Sequence, residues 1–89
     1  WHLMFYIGFE HKHLARIGLA RSRDGITGWE RHPANPIISP TPGAWDGESC
    51  YKPFAVFEKA RNRWLLWYNG RSRGEMIGLA THEGADPGF

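Results

Sequence analysis

Trp1-His2-Leu3-Met4-Phe5-Tyr6-Ile7-Gly8, followed by Ile17-Gly18-Leu19-Ala20 and Gly28-Trp29, has a second copy further along the chain. There it reads Trp64-Leu65-Leu66-Trp67-Tyr68-Asn69-Gly70, then Ile77-Gly78-Leu79-Ala80, then Gly88-Phe89. The offset is 60 from Ile17 onward and 62 before it, so Tyr6 falls on Tyr68 and Gly8 on Gly70. The longer first hairpin loop absorbs the difference. Self-similarity at such a period marks stacked supersecondary units, and it governs the reading of every shorter motif.

Working outward, Trp1 to Phe9 is almost wholly apolar and aromatic, which suits a strand covered on both faces. Glu10-His11-Lys12-His13 reads as a polar tip, a loop of about four or five residues before the returning strand Leu14 to Arg21. Ser22-Arg23-Asp24-Gly25 is turn chemistry. Ile26 to Arg31 then reads as a short outer strand centred on Trp29. From His32 to Gly47, Pro33, Pro36, Pro40 and Pro42 mark a long irregular connector, because proline cannot donate to a strand ladder. Ser49 to Phe57, Arg63 to Gly70 and Glu75 to Thr81 are the remaining strands, with turns at Glu58–Arg63 and Arg71–Gly74. No stretch sustains a helical period. The fold class is all-β.

Composition narrows the function. Eighty-nine residues suffice for one small domain. Five tryptophans and 15% aromatic residues belong to a packed structure and not to a disordered chain. The net charge of +2 is too small, and its basic residues too scattered, for a nucleic-acid partner. Cys50 is alone, so neither an intrachain disulfide nor a cysteine metal finger can form. No apolar run reaches the length of a membrane span, and the stretch from Trp1 does not read as a signal peptide, because it lacks a basic leader and a cleavage site. Nothing implies a cofactor. The chain opens in mid-strand on Trp1 and closes on Phe89, where the repeat expects another strand. That pattern points to a piece of a longer repeat protein, with a complete small protein as the alternative.

Antiparallel strands joined by tight hairpins and then a long connector describe β-propeller blades. The expected architecture is a partial propeller of about two four-stranded blades, blade A at 1–31 and blade B at 48–89, joined by the connector 32–47. A plain β-sandwich of two hairpins is the alternative, but it would show cleaner alternation of inward and outward residues.

The string Ile17-Gly18-Leu19-Ala20-Arg21-Ser22-Arg23-Asp24-Gly25-Ile26, with Gly28-Trp29-Glu30, Asn35-Pro36-Ile37-Ile38 and Trp45-Asp46, resembles the five-bladed propeller glycosidases of glycoside hydrolase families 43, 32 and 130. Lys52-Pro53-Phe54-Ala55-Val56-Phe57, with the second copy of the repeat, is similar to the next blade of that pattern. The resemblance covers nearly the whole chain and is specific to the superfamily, not to one family. It implies a carbohydrate partner. It also implies that Tyr51 and Lys52 lie near the mouth of a central channel, on an edge strand where Pro53 is harmless. Those families often carry Asp-Pro at this point; here the residue is Lys52, so the obvious carboxylate is missing.

Glycoside hydrolysis needs two carboxyl groups across the scissile bond. Asp46, Glu48 and Glu75 are the candidates. Asp46 and Glu48 precede the channel strand, while Asp46 could equally cap a turn beside Trp45. Glu75 could pair with Arg71 across the hairpin. Trp45 and Tyr51 are candidate platforms for pyranose rings, with Lys52, Asn69, Arg71 and His82 as polar partners. Trp1, Trp29, Trp64 and Trp67 are expected to fill space between blades, and Cys50 to be a small buried residue. His11 and His13 alternate on a loop tip without forming a metal site. Three functions follow: a glycosidase-type propeller piece, a non-catalytic carbohydrate-binding module, or a self-assembling homo-oligomer that buries the sheet faces one chain leaves bare.

Overall fold

The computed structural model describes all 89 residues, and it is all-β. β1 (His2–His11), β2 (Leu14–Ser22) and β3 (Glu30–Arg31) form one antiparallel sheet in that order. β4 (Ser49–Glu58), β5 (Arg63–Arg71) and β6 (Glu75–Glu83) form a second, also in chain order. Each sheet has three strands, not four. Runs of Trp, Tyr, Phe, Ile and Leu suit a pleated, half-buried surface, which is why the strands follow the apolar stretches so closely.

The hairpins repeat each other in detail. Tyr6 pairs with Gly18, and its sequence counterpart Tyr68 pairs with Gly78. Each ring lies across the opposite glycine: a Cβ on Gly18 would sit 2.6 Å from Tyr6 Cζ, and one on Gly78 3.1 Å from Tyr68 Cζ. An aromatic ring thereby fills the surface the glycine leaves bare. At the other end of each hairpin the His2 ring packs beneath Gly25, while Trp64 Nε1 donates to the Ala85 carbonyl at 3.0 Å. His2 and Trp64 occupy matching places in the two copies, as do Gly25 and Ala85.

Three details differ from the sequence reading. The first loop is a two-residue turn at Lys12 and His13, because the β1–β2 ladder continues to His11 across a bulge at Glu10. The outer strand expected over Ile26–Arg31 shrinks to Glu30–Arg31. Its cause is Asp24, whose Oδ1 accepts the Ile26 and Thr27 N–H groups at 2.8 Å each, while Thr27 Oγ1 donates to Oδ2 at 2.7 Å. Those backbone hydrogen bonds hold the Asp24 carboxyl far below the usual carboxylate range and remove their donors from any ladder. Finally, Trp64 alone of the four structural tryptophans lies between the sheets, near Phe5 and Phe57. Trp67 faces outward beside Phe54, Trp29 is partly exposed, and Trp1 lies under the Arg21 and Arg23 guanidinium groups.

The core lies between the sheets, where Ile17, Cys50 and Leu66 are buried against Phe5, Ile37, Ile38, Ala55, Tyr68 and Ala80. Only 11 of 89 residues are buried, so each core side chain carries a large share of the packing. A buried hydrogen bond from Ala15 N–H to Ser49 Oγ (3.0 Å) ties β2 to β4.

The connector completes the free edge of β2. Beyond β3, the Ile17 N–H donates to the Ile38 carbonyl and the Ile37 N–H donates to the Ile17 carbonyl, at 3.0 and 2.9 Å. Between these points the Asn35 side chain substitutes for a strand. Its Oδ1 accepts the Leu19 N–H at 3.0 Å, and its Nδ2 donates to the Leu19 carbonyl at 2.9 Å and to the Tyr6 hydroxyl at 3.1 Å. Asn35→Ala leaves the Leu19 N–H unpaired, while the Leu19 carbonyl keeps the His32 N–H at 2.9 Å, so we expect a loss of about 1–2 kcal/mol in urea unfolding. A loss under about 0.3 kcal/mol would mean that water or a shifted connector replaces the amide.

Candidate functional site

Two successive turns at the end of the connector present Trp45 and Asp46 to the second sheet. Ala44 N–H donates to the Thr41 carbonyl at 2.9 Å, and Gly47 N–H to the Ala44 carbonyl at 3.0 Å. Glu48 N–H then donates to the Arg71 carbonyl at 2.9 Å, which begins the ladder between β4 and β5. Where the turns touch the sheet, its surface is made of Gly70 and Gly78. A Cβ on Gly70 would collide with the Trp45 ring and come within 2.6 Å of Asp46 Cβ; one on Gly78 would lie 2.5 Å from Trp45 Cη2. These two absent side chains are what let the indole lie close against the strands. The other side of the ring is open: Trp45 is 40% exposed, with Tyr68 beside it at 5.8 Å between centroids and an interplanar angle of 31°.

Asp46, by contrast, is buried. Its Oδ2 accepts the Tyr68 hydroxyl at 3.2 Å and the Cys50 thiol at 3.6 Å. Burial pushes the Cys50 thiol up to about 12, with the nearby Asp46 carboxylate adding to it. The same two causes, in the same order, raise the Tyr68 phenol to about 12. Both groups therefore stay protonated around neutral pH and serve as donors. Cys50 is the small buried residue expected.

Alternation along β5 separates the other candidates. Tyr68 and Gly70 face the first sheet and the connector, whereas Asn69 and Arg71 point to the opposite face. Asn69 is paired with Tyr51 and Ile77, and Arg71 with Glu75. Arg71 and Glu75 are thus cross-strand neighbours, but the ion pair runs from Arg71 Nε to Glu48 Oε2 at 3.7 Å, with both side chains partly exposed. Lys52 sits in a bulge between Tyr51 and Phe54 with φ of 53°, its Nζ 5.5 Å from the Tyr51 ring centroid. A left-handed lysine is uncommon and re-aims the chain beside Pro53. β4 is an edge strand of its sheet, so the missing N–H of Pro53 interrupts the ladder at the bulge only.

His82 belongs elsewhere. It pairs with Trp64 at the far end of β5, six residues or roughly 20 Å along the strand from Gly70. There a cleft of about 360 Å³ opens between the sheets, lined by Phe5, Ile37, Ala55, Leu66, His32 and His82 among others. The last residues fold over it: His82 Nε2 lies 2.8 Å from the Asp86 carbonyl and His32 Nε2 2.6 Å from the Pro87 carbonyl. His32 Nδ1 accepts the Ala34 N–H at 3.0 Å. A carbonyl only accepts, so each Nε2 carries a proton. His82 is committed to holding chain, far from Trp45 and Asp46.

The structure thus brings together Trp45 and Asp46, with Glu48 and Arg71 at the adjoining strand ends. Tyr51, Lys52, Asn69 and Glu75 lie on the edge or outer face of the second sheet, and His82 lies at its opposite end. Tyr68 is the participant that sequence reasoning missed. Its counterpart Tyr6 and its parity with Gly70 were the available signals. No group of three or more His, Cys, Asp or Glu side chains gathers as a metal site would require. Comparison with family models, with curated proteins and with solved structures finds no match.

Proposed function

We propose that the chain is a carbohydrate-binding pair of β-propeller blades of the glycosidase type, with the sugar ring lying on Trp45. The observation that carries this reading is the indole itself. It is held against Gly70 and Gly78 and by Tyr68, and it leaves its remaining surface to solvent. A fixed, half-exposed aromatic surface offers the apolar contact that a pyranose ring needs, at little cost in side-chain ordering. Glu48, which follows the turn carrying Trp45, supplies an acceptor for hydroxyl groups. The sheet order and matched hairpins support consecutive blades, each contributing three of the strands a blade would have.

Binding is favoured over hydrolysis for this chain by the state of its carboxyl groups. Hydrolysis requires two of them facing one bond. Asp46 is buried and accepts from Tyr68 and Cys50, Glu48 faces Arg71, and Glu75 lies at the far edge of the sheet, cross-strand from Arg71. The test is titration with a panel of neutral oligosaccharides, followed by tryptophan fluorescence and calorimetry. Trp45→Ala should weaken binding roughly fivefold to tenfold, from about 1 kcal/mol of ring contact, while Trp29→Ala leaves it unchanged. Equal affinity of Trp45→Ala and the parent chain would remove the reading. Release of product from aryl glycosides, abolished in Asp46→Asn, would replace it with a hydrolytic one.

A further inference from the structure

The two sheets meet through unlike faces, and the repeat leaves one face of each kind without a partner. The inward face of the first sheet carries Phe5, Ile17 and Leu19. The face that receives it carries Leu66, Tyr68 and Ala80. Shifted by the repeat offsets, Phe5, Ile17 and Leu19 become Trp67, Ile77 and Leu79. These three share the outer face of the second sheet with Phe54 and Val56. That face is bare: Ile77 is 73%, Phe54 67% and Leu79 52% exposed. By the same shift Leu66, Tyr68 and Ala80 become Met4, Tyr6 and Ala20, which share the face of the first sheet turned away from the second; Met4 is 39% exposed there, while Ala20 is buried.

We propose that the outer face of the second sheet binds the Met4-bearing face of the first sheet of another copy, so that copies add head to tail. The internal contact between the sheets is the template, since each new contact residue is the counterpart of one already packed within the chain. The receiving face also has room. Gly8, the counterpart of Gly70, has nothing within 4 Å of the place its Cβ would occupy, whereas the place above Gly70 is filled by Trp45. Self-pairing of two outer faces is disfavoured, because Phe54, Trp67 and Ile77 would meet the same bulky set with no glycine floor to accept them. A contact between unlike faces continues from copy to copy until a ring closes or a filament grows. It also covers the contiguous exposed side chains Phe54, Val56, Ile77 and Leu79. This assembly rests on the repeat and the sheet faces and does not depend on sugar binding, which a monomer would retain.

The test is sedimentation velocity of the 89-residue chain over a concentration series, with two variants. Leu79→Lys blocks the outer face and Met4→Lys the receiving face; both positions are partly exposed, so the fold does not depend on them. Ile77→Glu is a second outer-face variant, and circular dichroism checks that each is folded. We expect the parent chain to form species beyond the dimer that grow with concentration, and each folded variant to remain monomeric. An equimolar mixture of Leu79→Lys and Met4→Lys should give a 1:1 dimer and nothing larger, since one working face of each kind survives. A parent chain that is monomeric throughout overturns the proposal. So does a Met4→Lys variant that assembles as the parent does, or a mixture of folded variants that forms no dimer.

Discussion

Ile17→Ala should cost about 2–5 kcal/mol, enough to remove much of the stability available to a domain of this size, where roughly 5–15 kcal/mol is typical. Ile17 is fully buried, and it is the point where three parts of the chain converge. Its side chain packs with Cys50 of β4 and Leu66 of β5, and its backbone pairs with Ile7 of β1 and with Ile38 of the connector. The lost methyl and methylene groups leave a cavity that cannot collapse easily, because both flanking backbones are fixed by hydrogen bonds. Its repeat counterpart provides the control. Ile77 is 73% exposed, so Ile77→Ala should change stability by less than about 0.5 kcal/mol in the monomer. Urea or thermal unfolding of the two variants measures the contrast. Equal losses at both positions would mean that the core does not lie between the sheets as described.

That contrast also shows what a sequence repeat can and cannot convey. The motif Ile-Gly-Leu-Ala correctly announced two equivalent hairpins, because aromatic and β-branched runs ending in turn residues are a local signal. It did not announce that one copy would be buried and the other bare, since burial depends on which sheet has a neighbour. The apolar character of both faces was legible; their occupancy was not. The shortened β3 shows a different kind of failure. Ile26-Thr27-Gly28-Trp29 looks like strand, but Asp24 captures its N–H groups through contacts that only the folded turn makes possible. Asn35 is a third case. Its amide completes a strand edge 16 residues away in sequence, and no spacing rule encodes such a partnership.

The candidate site was legible to a similar degree. Trp45 and Asp46 stood out because an aromatic and a carboxylate end a proline-rich connector just ahead of an edge strand. Their opposite fates, an exposed ring beside a buried acid, follow from contacts with Tyr68, Cys50 and the glycines of the second sheet. Asn69 and Arg71 were expected beside them as polar partners for a sugar. Alternation along a strand separates them, since residues of odd and even number on β5 face opposite ways. Applying that parity to β5 would have selected Tyr68 and Gly70 and set Asn69 and Arg71 apart.

Gly70→Ala tests the site and the fold together, and its counterpart Gly8→Ala should behave in the opposite sense. At Gly70 a single methyl collides with the Trp45 ring and with Asp46 Cβ. The ring tip could swing aside, but Asp46 Cβ moves only with the backbone of the turn, which is held by the Ala44 and Gly47 hydrogen bonds. The expected cost is about 3 kcal/mol, the upper end for one inserted carbon in a packed place. Displacing the turn also tilts Trp45 away from the sheet and separates Asp46 from Tyr68 and Cys50, so any sugar affinity should fall with stability. At Gly8 the added methyl meets nothing within 4 Å, and alanine loses less conformational freedom on folding than glycine. There the same substitution should stabilise the chain by about 0.5–1 kcal/mol. Paired melting curves of the two variants, with the tryptophan emission of each folded state, decide the matter. A Gly70→Ala protein as stable as its parent, with unshifted emission, would show that Trp45 does not rest on the sheet.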